Sequence, residues 1–151
     1  MDTDRAIQEL ADKAAIQEVI TRYAFALDRR DPEMLASCFT SDAVFEFVGV
    51  RRTAGVDNIK WAAKRLERYS KTQHQLGTQL IQVQGDEADA ETYVVAYHWG
   101  NEGGAEREVM VVGGRYVDRL VRRDGRWLIR QRTLQAIWQR GHSLLLLGER
   151  L

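Results

Sequence analysis

Apolar positions recur with a helical period in the first third of the chain and with a strand period over most of the rest. Ile16, Ile20, Tyr23 and Leu27 stand at i, i+4, i+7 and i+11, with Lys13, Gln17, Glu18 and Arg22 around them. This spacing lines one face of an amphipathic helix and predicts a first helix from Asp4 to about Leu27. Asp31-Pro32 supplies a capping side chain followed by proline at the first helical position, which predicts a short second helix over Pro32 to Phe39. Thr40, Ser41 and Asp42 read as a turn, and the aromatic stretch Ala43 to Val48 as a strand. Asp57 as cap, with Ile59, Ala62, Ala63, Leu66 and Tyr69 at helical spacing, predicts a third helix ending near Ser70.

From Gln73 the period falls to two. Gln73 to Gln84, Glu91 to Trp99, Glu108 to Val121 and Arg126 to Leu134 read as long strands, divided by GDEAD, GNEGG and the hairpin signal Arg123-Asp124-Gly125. Helices first and an antiparallel meander afterwards predict an α+β fold. The expected shape is a cone-shaped α+β barrel, with three N-terminal helices packed on a strongly curved, mostly antiparallel sheet that encloses a pocket. Gly113-Gly114, inside a strand, predicts a bulge or sharp bend there.

Composition narrows the function classes. The 151 residues carry no repeat, linker or like-charge block, so a single domain over residues 1–151 is expected. With 44% hydrophobic and 29% charged residues, one proline and 12 glycines, disordered and collagen-like classes are excluded. Twenty-two basic residues balance 22 acidic ones, which leaves no broad positive field, so neither nucleic acid nor a membrane surface is an expected partner. No apolar run approaches the roughly 18 residues of a membrane helix, and the acidic MDTDRAIQEL is unlike a signal peptide, so the expected location is cytoplasmic. The lone Cys38 excludes an intrachain disulfide and a thiolate zinc cluster. His74, His98 and His142 are the only histidines and form no local ligand pair, and no phosphate-loop or dinucleotide fingerprint is present. No metal and no cofactor is expected.

The pieces YAFALDRRDPEMLASCFTSDAVFE, HQLGTQLIQV and GGRYVDRLVRRDGRWLIRQR, in that order, resemble the nuclear transport factor 2-like superfamily in its SnoaL-like branch, over about Ile7 to Trp138. Within it the residue pattern is similar to that of scytalone dehydratase, bile acid 7α-dehydratase and hexachlorocyclohexane dehydrochlorinase, which are cofactor-free eliminating enzymes. The resemblance implies an Asp near the end of the first helix paired with a His in the strand after the third helix, and Asp28 and His74 hold those places. It further implies a Tyr five residues before the Asp and an Arg late in the final strand, matched by Tyr23 and Arg132. His98 stands where scytalone dehydratase has a second histidine. The dehydrochlorinase pattern has a Lys in place of Tyr23, so this chain leans toward the hydroxyl-eliminating members. Isomerases, cyclases and non-catalytic binders share the superfamily, because fold does not fix function.

The residues themselves support the same chemistry. A neutral imidazole can deprotonate carbon if a carboxylate holds the ring and stabilises the imidazolium, which makes His74 the candidate base and Asp28 its orienter. Tyr23 and Arg132 are the candidate polarising groups for an enolate-like oxygen or a leaving hydroxyl. His98, Trp61, Trp99 and Phe45 are candidate substrate-binding residues. Tyr23 also fits plain core packing, and Arg132, alternating with Leu128, Arg130 and Leu134, also fits a structural salt bridge. Five helical residues turn through about 140°, so Tyr23 and Asp28 diverge unless the helix ends or bends between them. The expected function is a cofactor-independent lyase acting on a small cyclic hydrophobic substrate. The alternatives are a proton shuttle like that of ketosteroid isomerase or polyketide cyclase, with Asp28 as base, and a non-catalytic small-molecule binding or assembly domain. Ile137 and the Leu144 to Leu147 run are too apolar for a free tail and suggest a lid or an oligomer contact. The resemblance implies a homo-oligomer, with a trimer favoured over a dimer.

Overall fold

The computed structural model describes residues 2–102 and 104–141. Helix α1, Thr3–Arg29, is capped by Asp2, whose side chain accepts from the Asp4 N–H, and it ends where Arg30 turns left-handed at φ 54°. Its predicted stripe is the buried one, with Ile16, Ile20, Tyr23 and Leu27 all inside. Helix α2, Pro32–Ala36, starts as expected on Asp31, which accepts from the Glu33 and Met34 N–H groups, but it stops before Phe39. Strand β1, Phe39–Phe47, takes Phe39 and the expected turn Thr40-Ser41-Asp42 instead. The reason is tertiary: the Cys38 carbonyl accepts the Ile129 N–H at 2.8 Å, and Phe39 pairs with Ile129 across the sheet.

Strand β2, Arg51–Ala54, pairs with β1 and gave no apolar signal, because RRTA is mostly exposed. The third helix is not continuous. It divides into α3, Val56–Ile59, α4, Trp61–Arg65, and a 3-10 turn over Leu66–Arg68. Gly55 at φ 85° leads into α3, and Asp57 lies in its first turn rather than at the cap. Strands β3 (Lys71–Gln84), β4 (Glu87–Glu102), β5 (Ala105–Arg123) and β6 (Arg126–Gly141) follow, each longer than its hydrophobic pattern. Of GDEAD only Gly85 and Asp86 turn, since the polar residues after them continue the ladder on exposed strand. The Asp124-Gly125 hairpin has both residues at positive φ, 49° and 74°, as a tight two-residue turn requires.

The six strands form one sheet in the order β2-β1-β6-β5-β4-β3, antiparallel except for β1 beside β6. It curves over α1, whose buried face packs on β3 and β6, and among the described residues it stays open with β2 and β3 as its edges. Two bulges set which side chains face inward on β6. Leu120 pairs with Ile129 while Arg119 pairs with Gln131, so Arg130 is an extra residue, and Arg132 lies inside with Trp127 and Ile129. Plain alternation had placed it with Leu128 and Arg130. The second bulge falls at Gly113-Gly114, where the sequence suggested one, and it makes Ile137 the extra residue. A Cβ on Gly113 would overlap the Trp138 ring, and one on Gly114 would overlap the Gln135 carbonyl. Ile137 therefore belongs to β6 and is 56% exposed. The Leu144 to Leu147 run and His142 lie outside the described residues. Among the described residues no helix is long and apolar enough to cross a membrane.

Candidate active site

Asp28 sits in the last turn of α1. The Arg30 guanidinium, two residues on, donates to the carbonyls of Leu66, Tyr69 and Ser70 and ties this helix end to the start of β3. The Asp28 carboxylate thereby meets the first residues of β3. Its Oδ1 accepts from the Thr72 hydroxyl at 2.9 Å and lies 2.7 Å from His74 Nδ1, and its Oδ2 accepts from the His74 backbone N–H at 2.9 Å. Partial burial pushes this carboxyl up, but the hydrogen bonds and charge of His74, with the Thr72 hydroxyl, outweigh it and hold the pKa below the usual value. An ionised Asp28 can only accept, so Nδ1 carries a proton, and in the neutral ring it is Nε2, on the far edge, that holds the lone pair.

The His74 side chain is 7% exposed and lines a cavity of about 180 Å³ between the helices and the sheet. Leu27, Phe45, Phe47, Trp61, Val94, Met110 and Leu134 give it apolar walls, and Tyr23, Tyr116 and His98 are its deeply buried polar residues. The divergence expected of Tyr23 and Asp28 is real, since α1 continues unbroken past both. Asp28 turns sideways to β3 and is not part of the cavity wall, so it is His74 that shares the cavity with Tyr23. His98 lies diagonally across the β3–β4 ladder, its ring 5.8 Å from that of His74. Burial, with the neighbouring His74, lowers its pKa to about 4, so it is a neutral ring at physiological pH.

Phe45 and Trp61 line the cavity, their rings packed edge to face at 6.4 Å. The Arg51 and Arg65 guanidiniums lie over the Trp61 indole at 4.5 and 4.7 Å. Trp99 does not line it. Strand alternation places Trp99 on the outer face of β4, stacked on Tyr97 at 6.0 Å, while His98 points inward. Trp127 is a packing residue whose indole N–H donates to Asp12 at 3.0 Å.

Arg132 also stands off the cavity wall. It is fully buried, bound to Asp118 through two hydrogen bonds of 2.7 and 2.6 Å, and its charge lies over the rings of both Tyr23 and Tyr116, at 4.0 and 4.2 Å from the ring centroids. Burial drives the Tyr23 phenol up to about 12, against the pull of the Arg132 charge, so it is a neutral donor at working pH. The ion-pair reading of Arg132 therefore describes its contacts, and its reach toward the cavity is through the two tyrosines. Sequence reasoning missed Thr72, Tyr116 and Asp118. An acid in the period-two row Tyr116, Asp118, Leu120 was the available signal for the last two, since an unpaired carboxylate is not buried without a cation. Among the described residues no three His, Cys, Asp or Glu side chains converge as a metal site.

Solved structures share this arrangement of helices and sheet. A scytalone dehydratase-like protein from Novosphingobium aromaticivorans superposes with a TM-score of 0.82 at 23% identity, over 92% of this chain and 93% of that one. A hexachlorocyclohexane dehydrochlorinase from Novosphingobium barchaimii superposes with a TM-score of 0.74 at 21% identity, over 92% and 95%. At those identities the likeness is one of fold. In sequence, an uncharacterised protein of Mycobacterium tuberculosis is 28% identical over 140 residues, covering 89% of this chain and 92% of its own. The SnoaL-like domain pattern matches residues 8–133, from the second turn of α1 into β6, and so takes in the dyad, both cavity tyrosines and the buried ion pair: the chain belongs to the SnoaL-like family.

Proposed function

We propose that the protein is a cofactor-independent lyase of the dehydratase type, acting on a small cyclic hydrophobic substrate with His74 as general base and Asp28 as its orienter. The observation that carries this reading is the 2.7 Å contact of Asp28 with His74 Nδ1 behind an apolar cavity that His74 itself lines. In the proposed step Nε2 takes a proton from carbon, and the C–H electron pair becomes the new C=C bond. The neighbouring C–O bond breaks, and the hydroxide leaves as water with a proton from Tyr23 or from the imidazolium. Asp28 stabilises that imidazolium, and a neutral His98 beside it adds no competing charge.

The shuttle with Asp28 as base is the weaker reading. Its carboxylate is committed to three donors and stands behind His74, away from the cavity. The expectation of a homo-oligomer fits the outer sheet face, where Tyr93 and Trp138 are half-exposed near the stacked Tyr97 and Trp99.

The test is deuterium wash-in and dehydration of a panel of cyclic β-hydroxy ketones by the wild type and by His74→Ala. Exchange and water loss are expected in the wild type and absent in the variant, whose melting temperature stays within a few degrees. Activity retained by His74→Ala removes the base. Binding without exchange by the wild type assigns the protein to non-catalytic binding.

A further inference from the structure

Tyr116 is the cavity residue that the dyad does not explain. Its side chain is 2% exposed, it lines the cavity, and among the described residues its hydroxyl has no hydrogen-bond partner. The hydroxyl is not among the polar atoms sealed off without a partner, so it opens on the cavity, where a bound molecule can meet it. Phenylalanine would fill the same space without offering a donor. The ring is also placed with unusual support: its face lies on the Arg132 guanidinium at 4.2 Å, and its edge relation to Tyr23 is 5.3 Å at 77°. Tyr23 rests on the same cation at 4.0 Å.

A cation on a phenol's π face draws electron density from the ring and strengthens its O–H as a donor. Asp118 fixes Arg132 in place with two hydrogen bonds, so the cation is rigid under both rings. Burial keeps the Tyr116 hydroxyl protonated far above neutral pH, so it donates and does not act as a base.

We propose that Tyr116 is a substrate-contacting hydrogen-bond donor that pairs with Tyr23 as a two-phenol pocket for an oxyanion. The substrate class follows: the molecule carries a carbonyl-type oxygen on the carbon next to the one deprotonated. A compound with halogens alone would leave both donors unused. The oxyanion pocket stands on the two phenols, and the link to a deprotonated carbon rests on the lyase reading of His74.

The test uses 4-nitrophenolate as an oxyanion probe and nitrobenzene as a probe of equal ring size without one, titrated into the wild type, Tyr116→Phe and His74→Ala. The wild type is expected to bind both. Tyr116→Phe is expected to weaken 4-nitrophenolate by about 10-fold with nitrobenzene unchanged, and to melt no lower than the wild type. No binding of 4-nitrophenolate by the wild type overturns the proposal, as does equal weakening of both probes or no weakening of either. A lowered melting temperature for Tyr116→Phe also overturns it, because the hydroxyl would then be serving the fold. His74→Ala separates the two claims: if it retains turnover while Tyr116→Phe still loses the phenolate, the base is wrong and the pocket stands.

Discussion

Asp28→Asn is nearly isosteric, yet it cannot serve the same donors. Asp28 receives the Thr72 hydroxyl, the His74 backbone N–H and the His74 ring N–H. An asparagine has one acceptor oxygen and one NH2 group. If the oxygen keeps Thr72 and the ring, the NH2 confronts the His74 backbone N–H. If the amide turns over, the NH2 faces the ring, the tautomer with a bare Nδ1 is selected, and Nε2 gains a proton where a base needs a lone pair. A charge-assisted hydrogen bond contributes about 1.5–3 kcal/mol, and the 25% exposure of the Asp28 side chain favours the lower end. We expect a stability loss of about 2 kcal/mol in urea unfolding. On turnover the wrong tautomer is expected to cost up to about 10⁴-fold, the size of the same change in serine proteases. Long-range 1H–15N NMR of the ring nitrogens needs no substrate. In the neutral ring it should show Nδ1 protonated and Nε2 bare for the wild type, and the reverse tautomer or a mixture for the variant. A wild type with its proton on Nε2, or a variant with an unchanged tautomer and stability, would refute the orienting role.

Three further outcomes follow from the same geometry. His98 binds its proton at about 4 when folded and near 6.5 when unfolded, so the unfolded state takes up the proton first. Stability is then full above pH 6.5 and falls by on the order of 3 kcal/mol toward pH 4, and urea unfolding of His98→Phe should show a shallower loss across that window. The buried Arg132 and Asp118 should behave as a unit: Arg132→Met alone is expected to cost about 3–5 kcal/mol by stranding the carboxylate, and Arg132→Met with Asp118→Leu markedly less. Gly114→Ala should lower the melting temperature more than Gly113→Ala, because its Cβ meets the Gln135 backbone carbonyl, whereas the Trp138 ring opposite Gly113 is half-exposed and can swing away.

The α+β order, the buried stripe of α1, the Asp31 cap and the glycine bulge could all be read from the residues because each rests on a local rule of period, cap or turn. Phe39 and β2 could not. Phe39 becomes strand because Ile129, ninety residues later, offers its pairing edge, and RRTA has no apolar pattern to announce an edge strand. At the site, Asp28, His74 and Tyr23 were reachable through the resemblance, and the structure brings the first two within 2.7 Å. Trp99 and Arg132 were misplaced for different reasons. Adjacent strand residues face opposite sides, so an inward His98 puts Trp99 outside, whereas the face of Arg132 is set by the bulge at Arg130, which forms only with a neighbouring strand. Tyr116 was passed over because an unpartnered hydroxyl is visible only once the surroundings are known.

The extra residue Arg130 gives β6 a place where chain length and chemistry are uncoupled. It is 40% exposed in its side chain and, among the described residues, pairs with Glu87 at 3.5 Å. Deleting it would straighten the strand yet leave Ile129 and Arg132 on the inner face, whereas deleting Thr133 would send Leu134 and every residue after it to the opposite side. Insertions and deletions in descendants of this chain should therefore gather at Arg130 and Ile137. There a lineage can reshape the bend of the sheet, and with it the cavity, while the cation under the two tyrosines stays where it is.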